Sequence, residues 1–217
     1  MSLTNLQRKM TLQFEDIEQE SLAVLDKLSG PDLVIAVDTE ATGLSVASRE
    51  DECIGVSIAT VVDGTPYSHY FPFAHREGDN CSNDVLVKLK QLLEGEHKLV
   101  FCNAQYDILS FVDVPTMAHL INENKPYNKG LDSLAQFYLK DSGKHKDEFL
   151  EKQKKIGWPE TTWQQMWPYA VQDAELTWRL HDLLSTKREW LQVPEDMWPH
   201  KQKLIRLLLS MKRHGVR

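Results

Sequence analysis

Four acidic side chains and one tyrosine, spread over three separate segments, have the types and spacing for metal-assisted hydrolysis. Asp38 and Glu40 lie in Val37-Asp38-Thr39-Glu40, directly after the apolar run Leu33-Val34-Ile35-Ala36. Asp107 closes Asn103-Ala104-Gln105-Tyr106-Asp107, just after a second apolar run, Leu99-Val100-Phe101-Cys102. Tyr169 and Asp173 belong to Tyr169-Ala170-Val171-Gln172-Asp173. Oxygen donors in this number, with no His or Cys cluster beside them, suit hard divalent cations such as Mg²⁺ or Mn²⁺. A pair of such ions can cleave a phosphodiester with little further help from the protein.

The spacing supplies the geometry. Residues i and i+2 of a strand point to the same face, so Asp38 and Glu40 project together while Thr39 turns away. Two carboxylates so placed repel each other unless a cation lies between them. Tyr169 and Asp173, four residues apart, share one face of a helix. Asp107 enters a helix for which Asn103 is a natural N-cap, and an acid there also suits the helix dipole. Taken singly, each feature also fits an ordinary strand end or helix turn.

The elements that must position these groups follow from periodicity and punctuation. Phe14 to Leu28 has helical spacing and is stopped by Ser29-Gly30-Pro31. Leu33 to Asp38 reads as a strand buried on both faces. Cys53 to Val62 and Tyr67 to Phe73 are strands joined across an Asp63-Gly64 turn, and short connections make the first three strands an antiparallel meander. Val85 to Leu93 is a crossover helix leading to a strand at Lys98 to Cys102. Helical patterns follow at Met117 to Asn122, Leu131 to Leu139 and Glu148 to Ile156. A long helix is expected to open at Pro168, and a last one spans about Glu195 to Arg213. Residues 1–14 read as a flexible tail, 15–194 as one α/β domain, and 195–217 as a C-terminal helix.

Composition narrows the class. The chain has 217 residues, enough for one full core. No run approaches the roughly 18 apolar residues of a membrane span, so no membrane partner is expected. Cys53, Cys81 and Cys102 are too far apart for a Cys-x-x-Cys pair, which argues against a structural zinc site or a disulfide framework and for a reduced, cytoplasmic setting. A net charge of −7 argues against a stand-alone binder of duplex DNA, but not against an enzyme gripping a few nucleotides. Lys144, His145, Lys146, Lys152, Lys154 and Lys155 have the charge to meet a DNA backbone, but Asp147, Glu148 and Glu151 are interleaved with them, which favours a solvated helix. His69, His75, His119 and His181 lack ligand spacing and read as ordinary core or surface residues.

With these segments in order, the sequence resembles the proofreading 3′→5′ exonuclease domain of family A DNA polymerases, the bacterial polymerase I type. More broadly it is similar to the DEDD exonucleases. The resemblance rests on Val37-Asp38-Thr39-Glu40-Ala41-Thr42-Gly43-Leu44, on Asn103 to Asp107, and on Tyr169 to Thr177, with Leu131-Asp132-Ser133-Leu134-Ala135 in support. It implies a ribonuclease H-like fold with a mixed five-stranded sheet. It also implies a two-metal-ion mechanism in which Asp38, Glu40, Asp107 and Asp173 hold Mg²⁺ or Mn²⁺ and Tyr169 orients the attacking water. Thr39, Leu44 and Asn103 would contact the 3′-terminal nucleotide, and the substrate would be a single-stranded or frayed DNA 3′ end. One departure is local: Val114-Pro115-Thr116-Met117 lacks an Asp directly before Thr-Met, which puts capping of the helix there in doubt.

The last segment, Met211 to Val216, resembles the stretch that leads into a polymerase domain, so a linked or associated polymerase and a bacterial or phage-infected cell are expected. Two other readings stay open at this level. One is an RNA 3′→5′ exonuclease resembling ribonuclease D. The other is a catalytically silent domain that binds nucleic acid.

Overall fold

The structure, a computed structural model, describes residues 16–30, 32–42, 52–102, 112–141 and 160–194, with scattered positions from 149 to 158 and beyond 195. The tail 1–14, Leu44, Asn103 and Asp107 lie outside the described residues, as does most of the expected last helix.

Helix α1, Ile17–Lys27, opens under Asp16, whose carboxylate accepts the Gln19 N–H at 3.1 Å. Strands β1 (Val34–Ala41), β2 (Cys53–Val62) and β3 (Thr65–Pro72) follow. Helix α2 (Asn83–Leu93) then crosses to β4 (Lys98–Phe101), and β5 is only Val112–Asp113. The sheet order is β3-β2-β1-β4-β5. The first three strands are antiparallel, as the sequence leads one to expect, and β1/β4 and β4/β5 are parallel, which gives the mixed five-stranded sheet that the resemblance implies.

β1 is central, and its side chains divide between two apolar layers. Ile35 and Val37 pack with Leu25 of α1 and Leu89 of α2. Ala36 packs on the other side with Val100, Met117 and Leu180. This two-sided cover explains why the strand reads as a continuous apolar run rather than an alternation.

After β5 come α3 (Val114–Ile121) and α4 (Leu131–Leu134), which continues as a π-helical turn over Ala135–Leu139. The doubt over capping at α3 is removed. Asp113 caps it, accepting the Thr116 N–H at 3.0 Å and the Thr116 hydroxyl at 2.5 Å, with Pro115 just inside the start.

Helix α5 runs Trp163–Ser185, and α6 is Arg188–Leu191. The expectation that Pro168 opens α5 is corrected: the helix begins at Trp163, under a reciprocal capping box between Thr162 and Gln165. Pro168 lies inside the helix on its exposed side, where the carbonyl that loses its N–H partner can be solvated. The first half of α5 joins one apolar layer through Met166 and Val171, and the second half joins the other through Ala174 and Leu180.

Two buried histidines make the fold sensitive to acid. Burial lowers His69 to about 3. Burial first, and the Lys98 charge second, lower His181 to about 4. The unfolded chain takes up both protons near pH 6.5, whereas the folded chain waits until pH 3 to 4. The unfolded state therefore binds more protons in that window, and stability falls as pH drops through it. The slope is about 1.4 kcal/mol per pH unit for each histidine. Urea midpoints at pH 7, 6 and 5 should decline in that order; equal midpoints would contradict the assignment.

Candidate active site

The C-terminal end of β1 carries half-buried Asp38, exposed Thr39 and buried Glu40. In the ladder with β2, Asp38 lies opposite Ser57 and Glu40 opposite Gly55, before the register shifts at Ala41. Strand alternation holds up to that shift, so both carboxylates leave the sheet on one face. Helix α5 packs against β1 and β2 and carries Tyr169, half-buried, one turn before Asp173, which is buried.

Electrostatics couple these groups. Burial pushes the Tyr169 phenol above the usual tyrosine range, and the negative charges of Asp173, Glu40, Asp38 and Asp132 push it further, in that order. The same strand carboxylates act on two more groups. Cys53 is raised by burial first, partly offset by its bond to the Gly55 carbonyl, and then by Glu40 and Asp38. Tyr70 is raised by burial first and then by Glu40, Cys53, Asp38 and Cys81. The charges of Asp38, Glu40 and Asp173, from two elements far apart in sequence, thus all act on the Tyr169 phenol. At neutral pH the phenol keeps its proton, so Tyr169 can both donate and accept a hydrogen bond.

The Tyr169 ring is held from outside. Phe149 stacks on it with centroids 4.8 Å apart, and Trp158 lies 5.8 Å away. Trp163 and Trp167 are buried in the core.

The donor set fits a hard divalent cation. Glu40 and Asp173 are only 7% and 6% exposed, so two oxygen donors are withheld from water, and Asp38 supplies a third that acts on the same Tyr169 phenol. Among the described residues no three His, Cys, Asp or Glu side chains approach closely enough to form a complete metal site, and Asp107 lies outside them.

Two further features belong here. Asp132, at the exposed start of α4 and inside the segment Leu131–Ala135 that supports the resemblance, acts on the Tyr169 phenol, whereas by its own position it reads as a dipole partner in a first helical turn. Tyr70, buried in β3 with His75 beyond it, also lies near the strand carboxylates. A Tyr in an apolar strand carries no signal of that placement.

A family model described as 3′-5′ exonuclease matches residues 12–189. The chain is also 30% identical over 213 residues to DNA polymerase I of Pseudomonas aeruginosa, covering 89% of this chain. It spans about a quarter of that relative's length (23%). Both matches agree with the resemblance carried by the three motifs. Among the described residues, no helix is long and apolar enough to cross a membrane.

Proposed function

The chain belongs to the 3′-5′ exonuclease family, and from that premise we propose that it removes nucleotides from the 3′ end of single-stranded or frayed DNA in a metal-dependent hydrolysis. The observation that carries this reading is the convergence of Asp173, Glu40 and Asp38 on the Tyr169 phenol. Asp38, Glu40 and Asp173, joined by Asp107, would hold Mg²⁺ or Mn²⁺. When bound, two such ions help generate hydroxide and stabilise the departing 3′-oxygen.

The chain's own residues supply the rest. Burial of Glu40 and Asp173 keeps their oxygens fixed and shielded from competing water. The protonated Tyr169 hydroxyl orients the attacking water by a hydrogen bond, and Phe149 and Trp158 limit movement of its ring. Thr39, Leu44 and Asn103 contact the terminal nucleotide through groups that any base satisfies.

The choice of DNA over RNA rests on the relative being a DNA polymerase I. On the same ground, residues 195–217 would lead toward a polymerase domain, and the reaction would take place in the bacterial cytoplasm.

The test is digestion of 5′-labelled single-stranded DNA and matched RNA with Mg²⁺, Mn²⁺ or EDTA, beside Asp173→Asn. A metal-dependent ladder on DNA, lost in the variant, is expected. Faster loss of RNA would move the assignment to RNA processing, and no cleavage of either would favour a silent domain. In the same assay Tyr169→Phe should retain Mn²⁺ binding but cleave about tenfold or more slowly, since one hydrogen bond to a charged group is worth about 1.5–3 kcal/mol. Unchanged turnover would remove the tyrosine from the mechanism.

A further inference from the structure

Next to the candidate site runs a buried polar chain that the hydrolysis just described does not use. Tyr70, fully buried in β3, donates its hydroxyl proton to His75 Nε2 at 2.8 Å. His75 donates from Nδ1 to the Thr161 carbonyl at 2.7 Å. A carbonyl can only accept, so the imidazole proton sits on Nδ1 and Nε2 is left as the acceptor for Tyr70. Burial lowers His75, which keeps the ring in this neutral form. Asn80 locks the backbone of His75 from both sides, accepting its N–H and donating to its carbonyl, each at 2.9 Å.

The two ends of this chain lie against the two elements that carry the halves of the site. At one end, a Cβ placed on Gly55 would meet the Tyr70 hydroxyl at 2.1 Å. The phenol therefore lies directly over Gly55, and Gly55 is the ladder partner of Glu40. At the other end, Thr161 immediately precedes Thr162, the N-cap of the helix that carries Tyr169 and Asp173. A proton relay is excluded by the same geometry, because the chain ends on a carbonyl with no proton to pass.

We propose that Tyr70, held by His75 against Gly55, is a positioning residue that fixes the strand pair Asp38 and Glu40 relative to the helix pair Tyr169 and Asp173. This inference rests on the metal-dependent reading above. It assigns Tyr70 no contact with substrate. Its effect passes through the placement of the carboxylates.

The test compares Tyr70→Phe with the parent in calorimetric titration by Mn²⁺ alone and in steady-state cleavage of a labelled DNA oligonucleotide. Folded Tyr70→Phe should lose about tenfold or more in Mn²⁺ affinity and in kcat, the range seen when supports behind metal ligands are removed. KM for the oligonucleotide should hold within about twofold. His75→Gln, which returns an acceptor near the Nε2 position, should recover more of both losses than His75→Leu. A purely structural role would lower the melting temperature while the folded protein kept parental Mn²⁺ affinity and kcat, and that result overturns the proposal. If Tyr70→Phe does not fold, His75→Asn takes its place, keeping a donor toward Thr161 and withdrawing only the acceptor from Tyr70. A parent that binds Mn²⁺ without cutting DNA would sink the nuclease reading and leave Mn²⁺ affinity to decide this one. A parent that binds no Mn²⁺ removes both.

Discussion

Replacing Asp38 with Asn is expected to reduce cleavage by on the order of 10³-fold while raising the melting temperature of the metal-free protein. Metal-borne charge stabilisation is worth several kcal/mol, and about 4 kcal/mol corresponds to three decades in rate. The rise in stability has a separate origin. Asp38 shares one strand face with Glu40, and both act, with Asp173, on the same Tyr169 phenol. Without a cation these negative charges oppose one another, and an amide of nearly equal shape removes one of them. Relief of about 1 kcal/mol raises Tm by about 2–4 °C in a chain of this size. Metal reverses the order, because a ligand that binds only the folded state stabilises it by about 2.7 kcal/mol at 100 times its Kd. The parent should gain more than the variant on adding Mn²⁺, so their melting curves change places. A metal-free Asp38→Asn that melts below the parent would contradict the repulsion argument.

How far the sequence discloses this site depends on how local each signal is. The strand Val34–Ala41 is legible because it is buried on both faces, and its apolar run ends at Asp38. The strand Cys53–Val62 is legible because the Asp63-Gly64 turn marks its end, and its expected bounds agree with the structure to the residue. The start of α5 is misread because Pro168 is a strong local mark, while Thr162 and Gln165 cap the helix through a reciprocal pair that only Thr-x-x-Gln announces. Strand β5, with two residues, is too short to show any period. Asp38 and Asp173 draw notice by residue type. Tyr70, His75 and Thr161 do not, because their connection spans 86 residues between His75 and Thr161 and exists only after the sheet and helix have packed. Catalytic chemistry is written in side-chain identity, whereas the supports behind it are written in tertiary contacts.

That distinction bears on Trp163, whose neighbours Trp158 and Trp167 raise the alternative of a stacking surface for nucleobases. Trp163 is 2% exposed at the first position of α5. Its ring packs edge-on against Trp167, with centroids 6.2 Å apart. Gly78, at φ +87°, approaches so closely that a Cβ there would stand 3.2 Å from Trp163 Cδ1. A ring enclosed in this way cannot meet a nucleotide. Trp163→Ala should therefore destabilise the fold by about 3–5 kcal/mol, through lost burial and the cavity left behind. In a chain of this length that lowers Tm by about 6–20 °C. Trp163→Phe should restore part of the loss, since an aromatic ring still fills much of the space. Trp158→Ala, at a half-buried ring, should cost less stability but slow cleavage, because Trp158 packs on Tyr169. Were Trp163 instead a stacking residue, its replacement would leave Tm nearly unchanged and weaken DNA binding. Thermal melts of the three variants, run beside DNA titrations, separate the two roles.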